Sequence, residues 1–191
     1  MTRKGQSIPS PIRSRIERPL DELFETYDEA GRVMGLMARH RVHALGAWHR
    51  SAHVFLFDTA GALLIQRRAP GKDLYPDLWD YSVGEHLVPG ETYLDAARRG
   101  LQEELGVRGV LLESVGDVRR WRSHQAELGL RDNELQQAFK GVHDGPLEPD
   151  TAEVAAVRAV GLEELAAEIE GHPVRFTPWF VRDLRELGFV R

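Results

Sequence analysis

Residues 84–107 constrain the fold of this chain more than any other segment. The segment begins with a loop that contains Pro89-Gly90 and continues into a predicted helix. Thr92 can cap the start of this helix, with Asp95 three residues later in a weaker form of the capping box. Gly106 is a typical helix-ending residue, because glycine adopts the left-handed conformation at that position with little cost. The segment therefore predicts a loop followed by a helix that ends just before Gly106.

The predicted helix has one apolar face and one charged face. At about 100° per residue, four apolar residues share a face: Leu94, Ala97, Leu101 and Leu105. Arg99, Glu103 and Glu104 lie on another face. Two adjacent carboxylates at a helix C-terminus repel each other and oppose the helix dipole. A divalent cation that prefers oxygen ligands, Mg²⁺ or Mn²⁺, would relieve this repulsion. An exposed acidic helix end without a cation is the alternative interpretation.

Length, charge and composition exclude several classes of protein. A chain of 191 residues can form one domain with a full core. The formal net charge of −5 disfavours a general binder of nucleic acids or membrane surfaces. The absence of cysteine excludes disulfides, thiolate metal sites and a cysteine nucleophile. No apolar run is long enough to span a bilayer, and the N-terminus lacks the apolar core of a secretory signal. We therefore expect a cytoplasmic protein without a membrane or nucleic-acid partner.

The chain is predicted to form a single domain over residues 19–191, with its core at about 49–187, after a disordered basic tail at residues 1–18. The tail offers little to bury, which is typical of disorder. A basic arm for an anionic partner is the alternative interpretation. The cations of the tail are Arg3, Lys4, Arg13, Arg15 and Arg18.

Apolar runs and turn residues predict the remaining elements of the chain. Two β-hairpins are expected, over residues 23–37 and 54–65. Strands are expected at about 110–118 and 132–139, with a polar loop over 119–131 between them. A short helix is expected at 162–169. A closing amphipathic helix is expected at 176–187, with Pro178 in its first turn.

Further polar residues are candidates for metal or phosphate binding. Four histidines lie close together in the sequence: His40, His43, His49 and His53. Neutral imidazole is a common metal ligand. For His40 and His43, the alternative interpretation is that they are scattered surface or core histidines. Asp132 and Glu134 project to the same side of a predicted strand, because side chains alternate with a period of two. Arg68 and Lys72 follow a predicted strand and could bind a diphosphate. Solvated surface charge is the alternative for both.

The segment at residues 84–107 resembles the Nudix box, G-x5-E-x7-R-E-U-x-E-E-x-G-U, in which U is apolar. The matching residues are Glu91, Arg99, Leu101, Glu103, Glu104, Gly106 and Val107. Two positions depart from the box: Glu85 stands at its opening glycine, and Gly100 replaces the glutamate after the arginine. The resemblance implies the Nudix fold, an α+β architecture with a mixed β-sheet sandwiched between helices, here preceded by an N-terminal β-hairpin.

The chain from about residue 23 to 187 is similar to the isopentenyl-diphosphate isomerase-like branch of the Nudix superfamily. The similarity rests on His49, residues 66–68 with Lys72, residues 75–79, residues 82–86, Asn133-Glu134 and residues 176–179. It implies a metal site formed by His49, His86, Asp132 and Glu134, with His43 as an approximate counterpart of a further ligand. It also implies diphosphate binding by Arg68 and Lys72, a Trp179 that faces a carbocation, and a diphosphate-bound Mg²⁺ at Glu104.

Gly84 stands where those isomerases have the cysteine that moves a proton at the alkene. A hydrogen side chain cannot do this, so isomerisation by that mechanism is not expected. The leading hypothesis is a metal-dependent hydrolase of a nucleoside or other organic diphosphate, a small-molecule substrate. Glu103 and Glu104 would hold the metal with Arg99 orienting them. Glu91 is a further candidate metal ligand, and either Glu91 or Glu134 would position the attacking water.

Gly100 weakens the prediction of catalysis. It removes one carboxylate from the metal-binding group, and glycine inside a helix costs about 1 kcal/mol relative to alanine. The isomerases also lack this glutamate, and Glu85, Glu91 or Glu134 could compensate here. Two other hypotheses therefore stand: an isoprenoid-diphosphate isomerase-like enzyme or binder, and a catalytically weakened Nudix module that binds a ligand or partner. The substrate and the oligomeric state, a homodimer included, are left open by the sequence.

Overall fold

The computed structural model describes residues 22–125 and 130–191. The predicted tail at residues 1–18 therefore lies outside the described part of the chain. The strands are β1 (Leu23–Tyr27), β2 (Val33–Ala38), β3 (Trp48–Phe57), β4 (Leu63–Arg68), β5 (Trp79–Asp80), β6 (Val83–His86), β7 (Glu113–Gln125), β8 (Leu130–Val142) and β9 (Val154–Val160). The helices are α1 (Arg39–Leu45), α2 (Tyr93–Leu105), α3 (Leu162–Gly171) and α4 (Pro178–Glu186), with a 3₁₀ turn at Pro173–Arg175. Within these ranges no helix is long and apolar enough to cross a membrane.

Both predicted hairpins are confirmed. In the N-terminal hairpin, β1 pairs antiparallel with β2, and the turn is closed by the Asp28 carboxylate, which accepts from the Ala30 amide at 2.8 Å. In the second hairpin, β3 pairs antiparallel with β4, and the Asp58 carboxylate accepts from the Ala62 amide at 2.8 Å. Aspartate suits such turns because its side chain bonds backbone amides a few residues ahead.

Strand β3 is the centre of a mixed sheet, as the predicted fold class requires. It pairs in parallel with β8 from Trp48↔Asn133 to Phe57↔Val142, and antiparallel with β6. Strand β4 extends the sheet through antiparallel pairing with β5 and β9. The ends of β3, β6 and β8 that carry the candidate histidines and carboxylates are therefore held side by side.

Helices cover both faces of this sheet. On one face, α2 buries Leu101 and Leu105 against Val83 of β6 and other apolar residues. On the opposite face, α3 and α4 form a second core in which Phe180 packs with Phe55 of β3. A sheet between two helical layers is the arrangement expected when each face of the sheet must be removed from water.

Helix α2 has the ends that the sequence predicts. The Thr92 hydroxyl accepts from the Asp95 amide at 3.2 Å, which satisfies one free donor of the first turn. Gly106 ends the helix in the left-handed region, with φ of 70°. The closing helix is confirmed as well, since α4 begins with Pro178 in its first turn.

The prediction of a polar loop over residues 119–131 is wrong for the described residues. Strand β7 continues to Gln125, and β7 and β8 pair from Arg119↔Gln136 to Gln125↔Leu130. Side chains of this hairpin contact residues outside it. Arg122 of β7 donates to Glu29, and the ring centroid of Trp121 in β7 lies 3.7 Å from the guanidinium of Arg182 in α4. Helix α1 was not predicted either, because its seven residues carry no clear apolar period.

Candidate metal and diphosphate site

Three histidines and two carboxylates converge where α1, β3, β6 and β8 meet. This histidine–carboxylate cluster consists of His43, His49, His86, Asp132 and Glu134. Strand register brings its members together: in β3, His49 lies opposite Glu134 of β8, and Ser51 lies opposite His86 of β6. The structure thus places together the four residues that the resemblance implies as metal ligands. It also adds His43, which had been only an approximate counterpart.

The atoms of the cluster approach one another without forming good hydrogen bonds. His49 Nε2 lies 3.5 Å from Asp132 Oδ1 and 3.8 Å from Glu134 Oε1. His43 Nε2 lies 3.7 Å from Asp132 Oδ1, and His86 Nε2 lies 3.5 Å from Glu134 Oε1. His49 Nδ1 donates to the Ala47 carbonyl at 3.2 Å, which leaves a lone pair on Nε2. Among the described residues, His49 Nε2 and Asp132 Oδ1 are buried without a hydrogen-bond partner.

These orphaned acceptors fit a divalent metal ion. Two buried acceptors that point at each other are destabilising unless a donor or a cation lies between them. Burial lowers the pKa of His43 to about 3 and that of His49 to about 4, so both imidazoles are neutral at pH 7. Neutral imidazoles and carboxylates are the ligands that divalent metals take in mixed nitrogen and oxygen sites.

The two carboxylates of this cluster differ in charge state. Burial raises the pKa of Asp132 to about 7, and the neighbouring Glu134 carboxylate adds to this rise. Burial alone would also raise the pKa of Glu134, but the imidazoles of His86 and His49 lower it well below its usual range. Burial lowers the pKa of His86, and the carboxylates of Glu134 and Asp132 more than reverse this, so its pKa is raised. In the metal-free cluster Glu134 is therefore the firmly ionised carboxylate.

A second group of side chains surrounds the guanidinium of Arg99. This box cluster consists of Glu85, Glu91, Arg99 and Glu103, together with Glu104, which lines the same cavity as Arg99. Arg99 donates to both oxygens of Glu91, at 2.9 and 3.0 Å, and to the His86 carbonyl at 2.8 Å. Its Nη1 atom lies 3.2 Å from Glu103 and 3.1 Å from Glu85. Arg99 therefore orients three carboxylates, while both Glu91 oxygens are engaged by one cation.

Glu104 is buried, although the helix pattern assigned it to the charged face. Its side chain is only 6% exposed, and Gln66 Nε2 donates to its Oε2 at 2.6 Å. Burial raises the pKa of Glu104 to about 8, against the opposing effects of Lys72 and Gln66. Glu103 is largely exposed by comparison. Of the two adjacent carboxylates, Glu104 thus offers a buried oxygen ligand and Glu103 offers one at the surface.

The predicted phosphate-binding cations are held by carboxylates. Arg68 donates to Asp80 at 3.0 Å, and its guanidinium lies 5.5 Å from the Trp179 ring centroid. The Trp179 indole donates to the same Asp80 carboxylate at 2.9 Å. Lys72 forms an ion pair with Glu153. Asp80, buried and without a signal in the sequence, therefore positions both Arg68 and Trp179.

Two adjoining cavities connect the clusters. The smaller one, of about 90 Å³, is lined by His43, Glu134 and Trp179 among others. The larger one, of about 760 Å³, is lined by residues that include Lys72 and Glu104. The residues common to both cavities are Arg39, Arg68, Leu74, Gly84, Glu85 and His86. An anionic ligand in the larger cavity would therefore lie beside both clusters.

A buried hydrogen-bond network that sequence reasoning missed lies at the wall of the smaller cavity. His53 Nδ1 donates to Asp183 Oδ2 at 3.0 Å, and the Tyr81 hydroxyl donates to the same oxygen at 2.6 Å. The His53 ring stacks on the Tyr81 ring, with centroids 4.3 Å apart. His53 follows His49 by four residues in β3, so the period of two was an available signal. Asp183 belongs to the closing helix and had no such signal.

Comparison with known proteins identifies the family. The NUDIX domain family matches residues 47–180 of this chain. The chain belongs to the Nudix family. This Nudix protein is 40% identical over 161 residues to an isopentenyl-diphosphate Delta-isomerase of Nocardia farcinica, covering 84% of this chain and 91% of that protein. It is 38% identical over 160 residues to one from Streptomyces avermitilis, covering 83% and 80%. Sequence similarity thus places it in the isopentenyl-diphosphate isomerase-like branch.

Solved structures share the fold. DR0079 from Deinococcus radiodurans is 25% identical, with a TM-score of 0.67 over 87% of this chain and 96% of that one. RenU from M. Smegmatis, described as a Nudix hydrolase, is 18% identical, with a TM-score of 0.55 over 86% and 92%. The second likeness supports the fold alone.

The raised pKa of Glu104 predicts the pH dependence of stability in the metal-free Nudix protein. A carboxyl whose pKa rises from 4.5 to about 8 on folding binds more protons in the folded state between these values. The free energy of unfolding therefore decreases as the pH rises from 4.5 to about 8. Urea unfolding with a chelator, followed across this pH range, measures the decrease. Glu104→Gln is expected to show a smaller decrease than the unmodified protein.

The exposed helix residue Glu164 supplies the matched control for this measurement. Glu164→Gln should retain the full decrease, because it removes a carboxyl that is not buried. Identical curves for the unmodified protein and Glu104→Gln would show that Glu104 does not bind a proton in the folded state.

Proposed function

We propose that this Nudix protein is a metal-dependent hydrolase of a small nucleoside or other organic diphosphate. The observation that carries the proposal is the larger cavity, in which the carboxylates of Glu103 and Glu104 and the cations Arg68 and Lys72 line one space. A diphosphate needs cations around its oxygens, and adjacent carboxylates hold the metal that adds to them. Mg²⁺ or Mn²⁺ is the proposed cofactor.

The roles of the residues follow from their contacts. When bound, the metal would neutralise diphosphate charge and activate the attacking water. Glu103 and Glu104 would hold it, with Arg99 fixing Glu103 through a contact of 3.2 Å. Arg68 would bind phosphate through its guanidinium, which is already oriented by a hydrogen bond of 3.0 Å to Asp80. A group that is oriented before the substrate binds loses less conformational entropy when it does.

Glu134 is the better of the two candidates for positioning the water. The carboxylate of Glu91 accepts from Arg99 through both oxygens and also from the Val88 amide at 3.0 Å. Glu134 lines the smaller cavity, where its pKa is lowered and its carboxylate is ionised. Gln136 donates to Glu134 Oε2 at 2.6 Å and fixes the orientation of the group. An ionised, oriented carboxylate can accept a hydrogen bond from the attacking water and position it.

An isoprenoid-diphosphate enzyme or binder is the second candidate. It is favoured by the convergence of the histidine–carboxylate cluster and by relatives that are named isopentenyl-diphosphate Delta-isomerases. Gly84 argues against isomerisation by a proton-moving side chain at this position. It pairs with His53 in the sheet, and a Cβ atom built on it would lie 3.3 Å from the Tyr81 ring. Residue 84 therefore supplies no acid or base, and a side chain there would contact the Tyr81 ring closely.

A substrate panel tests the proposal. Nucleoside diphosphates, dinucleotides and prenyl diphosphates are incubated with the protein and Mg²⁺ or Mn²⁺, and the release of phosphate or a monophosphate is measured. We expect release from at least one class, and its loss on adding a chelator. If no member of the panel released product, the hydrolase proposal would be contradicted. Isopentenyl diphosphate is also followed by NMR in D₂O. Deuterium incorporation or the dimethylallyl product, without phosphate release, would favour the second candidate.

A further inference from the structure

The middle of helix α2 contains a glycine that packing explains. Gly100 is buried inside the helix, where glycine is an unfavourable residue. A Cβ atom at this position would lie 2.6 Å from Val83 Cγ1, closer than side chains approach one another. It would also lie 3.3 Å from both Cβ and Oε2 of Glu85. Glycine at position 100 therefore leaves room for strand β6, and specifically for the Glu85 side chain.

The Glu85 carboxylate uses this room to join the box cluster. Its Oε2 atom lies 3.1 Å from Arg99 Nη1, the nitrogen that also lies 3.2 Å from Glu103. Its Oε1 atom accepts from the His86 amide at 3.1 Å. The side chain is mostly buried, and it lines the larger cavity together with Glu103 and Glu104. The opposing strand thus inserts a carboxylate at the point where the helix has none.

A separate observation points to a cation at this place. Gln66 is 4% exposed, and its amide touches the cluster by donating from Nε2 to Glu104. The carbonyl oxygen of the same amide, Oε1, is buried and has no hydrogen-bond partner in the described ranges. An unpartnered amide oxygen in the side chain that contacts Glu104 is a further potential oxygen ligand for a hard cation.

We propose that Glu85 supplies from strand β6 the metal-binding carboxylate that helix α2 lacks at Gly100, and that it binds the cation together with Glu103 and Glu104. The inference rests on the proposed function, because it concerns the same metal. Positions 85 and 100 face each other across one gap, so a glutamate side chain can reach it from either side. A Cβ atom at position 100 also needs the space of Val83 Cγ1, so a glutamate can fill the gap from the helix only when residue 83 is smaller.

The reciprocal exchange tests this role. Mg²⁺ is titrated calorimetrically into the full-length protein, into Glu85→Gln, into Glu85→Gly, and into the triple variant Glu85→Gly, Gly100→Glu and Val83→Ala, in which the last change makes room for the new Cβ atom. Glu85→Gln and Glu85→Gly are expected to bind Mg²⁺ at least about tenfold more weakly. The triple variant is expected to recover most of this loss. Glu113→Gln, on an exposed residue of β7, is the matched control and should bind as the unmodified protein does.

The unfolding temperature of each metal-free variant is measured alongside, so that a folding defect is not taken for a loss of ligand. Unchanged Mg²⁺ affinity in Glu85→Gln would overturn the role of Glu85, and phosphate release by the unmodified protein would then leave the hydrolase proposal standing. A folded triple variant that binds as weakly as Glu85→Gly would overturn the exchange. Absence of both Mg²⁺ binding and phosphate release in the unmodified protein would overturn the function and the inference together.

Discussion

Replacing Glu104 by glutamine is expected to lower Mg²⁺-dependent product release by about 100- to 1000-fold. The buried carboxylate of Glu104 is 6% exposed and held by Gln66, so its charge is little screened by water. A neutral amide is a weak ligand for Mg²⁺, and metal ions contribute several kcal/mol of charge stabilisation to such reactions, each 1.36 kcal/mol corresponding to about tenfold in rate. The measurement is the initial rate of phosphate release with the best substrate of the panel, at saturating Mg²⁺.

The stability of the same variant distinguishes a lost ligand from a damaged fold. Without metal at pH 7 to 8, Glu104→Gln is expected to unfold at the same temperature as the unmodified protein or higher, because it removes a carboxylate that burial disfavours. Glu164→Gln serves again as the control and should retain the full rate. A Glu104→Gln variant as active as the unmodified protein would mean that Glu104 does not hold the catalytic metal.

Replacing Asp183 by asparagine is expected to lower the free energy of unfolding by about 3 to 5 kcal/mol, the usual cost of breaking a buried ion pair. Asp183 is fully buried. Its carboxylate accepts hydrogen bonds from His53 at 3.0 Å and from Tyr81 at 2.6 Å, and it lies 3.1 Å from the Arg119 guanidinium. Asparagine keeps the shape of the side chain but not the charge that balances these donors. Urea denaturation at pH 7 measures the loss, and a loss below about 1 kcal/mol would contradict the expectation.

The pH dependence of stability provides a second test of Asp183. Burial would raise its pKa, but hydrogen bonding and charge interaction with His53, together with the Arg182 guanidinium, lower the pKa far below the usual 3.8. A carboxyl with a depressed pKa contributes stability that is present above 3.8 and is lost as the pH falls below it. The unmodified protein should therefore lose this contribution below pH 3.8, and Asp183→Asn should not. Glu186→Gln, on a half-exposed neighbour in sequence, is the control and should change stability by about 0.5 kcal/mol or less.

Elements with local signals were predictable from the sequence. Helix α2 has a capping threonine, an apolar period and a terminal glycine within one short segment, and all three have the predicted structural roles. The two hairpins are marked in the same way by Asp28 and Asp58 at their turns. The resemblance located the metal-binding candidates, and β-sheet register explains why His49 and Glu134 meet.

Features set by distant contacts were not predictable. Residues 119–131 of the β7–β8 hairpin are mostly polar in sequence, so this part of its strands lacks the alternation that marks a half-buried strand. Asp183 is buried because β3 and α4 meet around it, and a charged residue in an amphipathic helix is usually exposed. Glu85 and Gly100 are adjacent only in the packed structure, and each alone looked like a defect of the box. The relation between them is a matter of side-chain volume across a helix–strand contact.

The parallel pairing of β3 with β8 has a consequence for folding. It joins two segments that are separated in the chain by β4, β6, α2 and β7, and such non-local pairing forms slowly. A slip of one residue would turn every side chain of β8 to the opposite face, which would move Glu134 away from His49. Only the native register assembles the histidine–carboxylate cluster. A metal bound there stabilises that register selectively, because it binds the native state and not the slipped ones. Metal binding during folding would therefore favour the native alignment of β3 with β8.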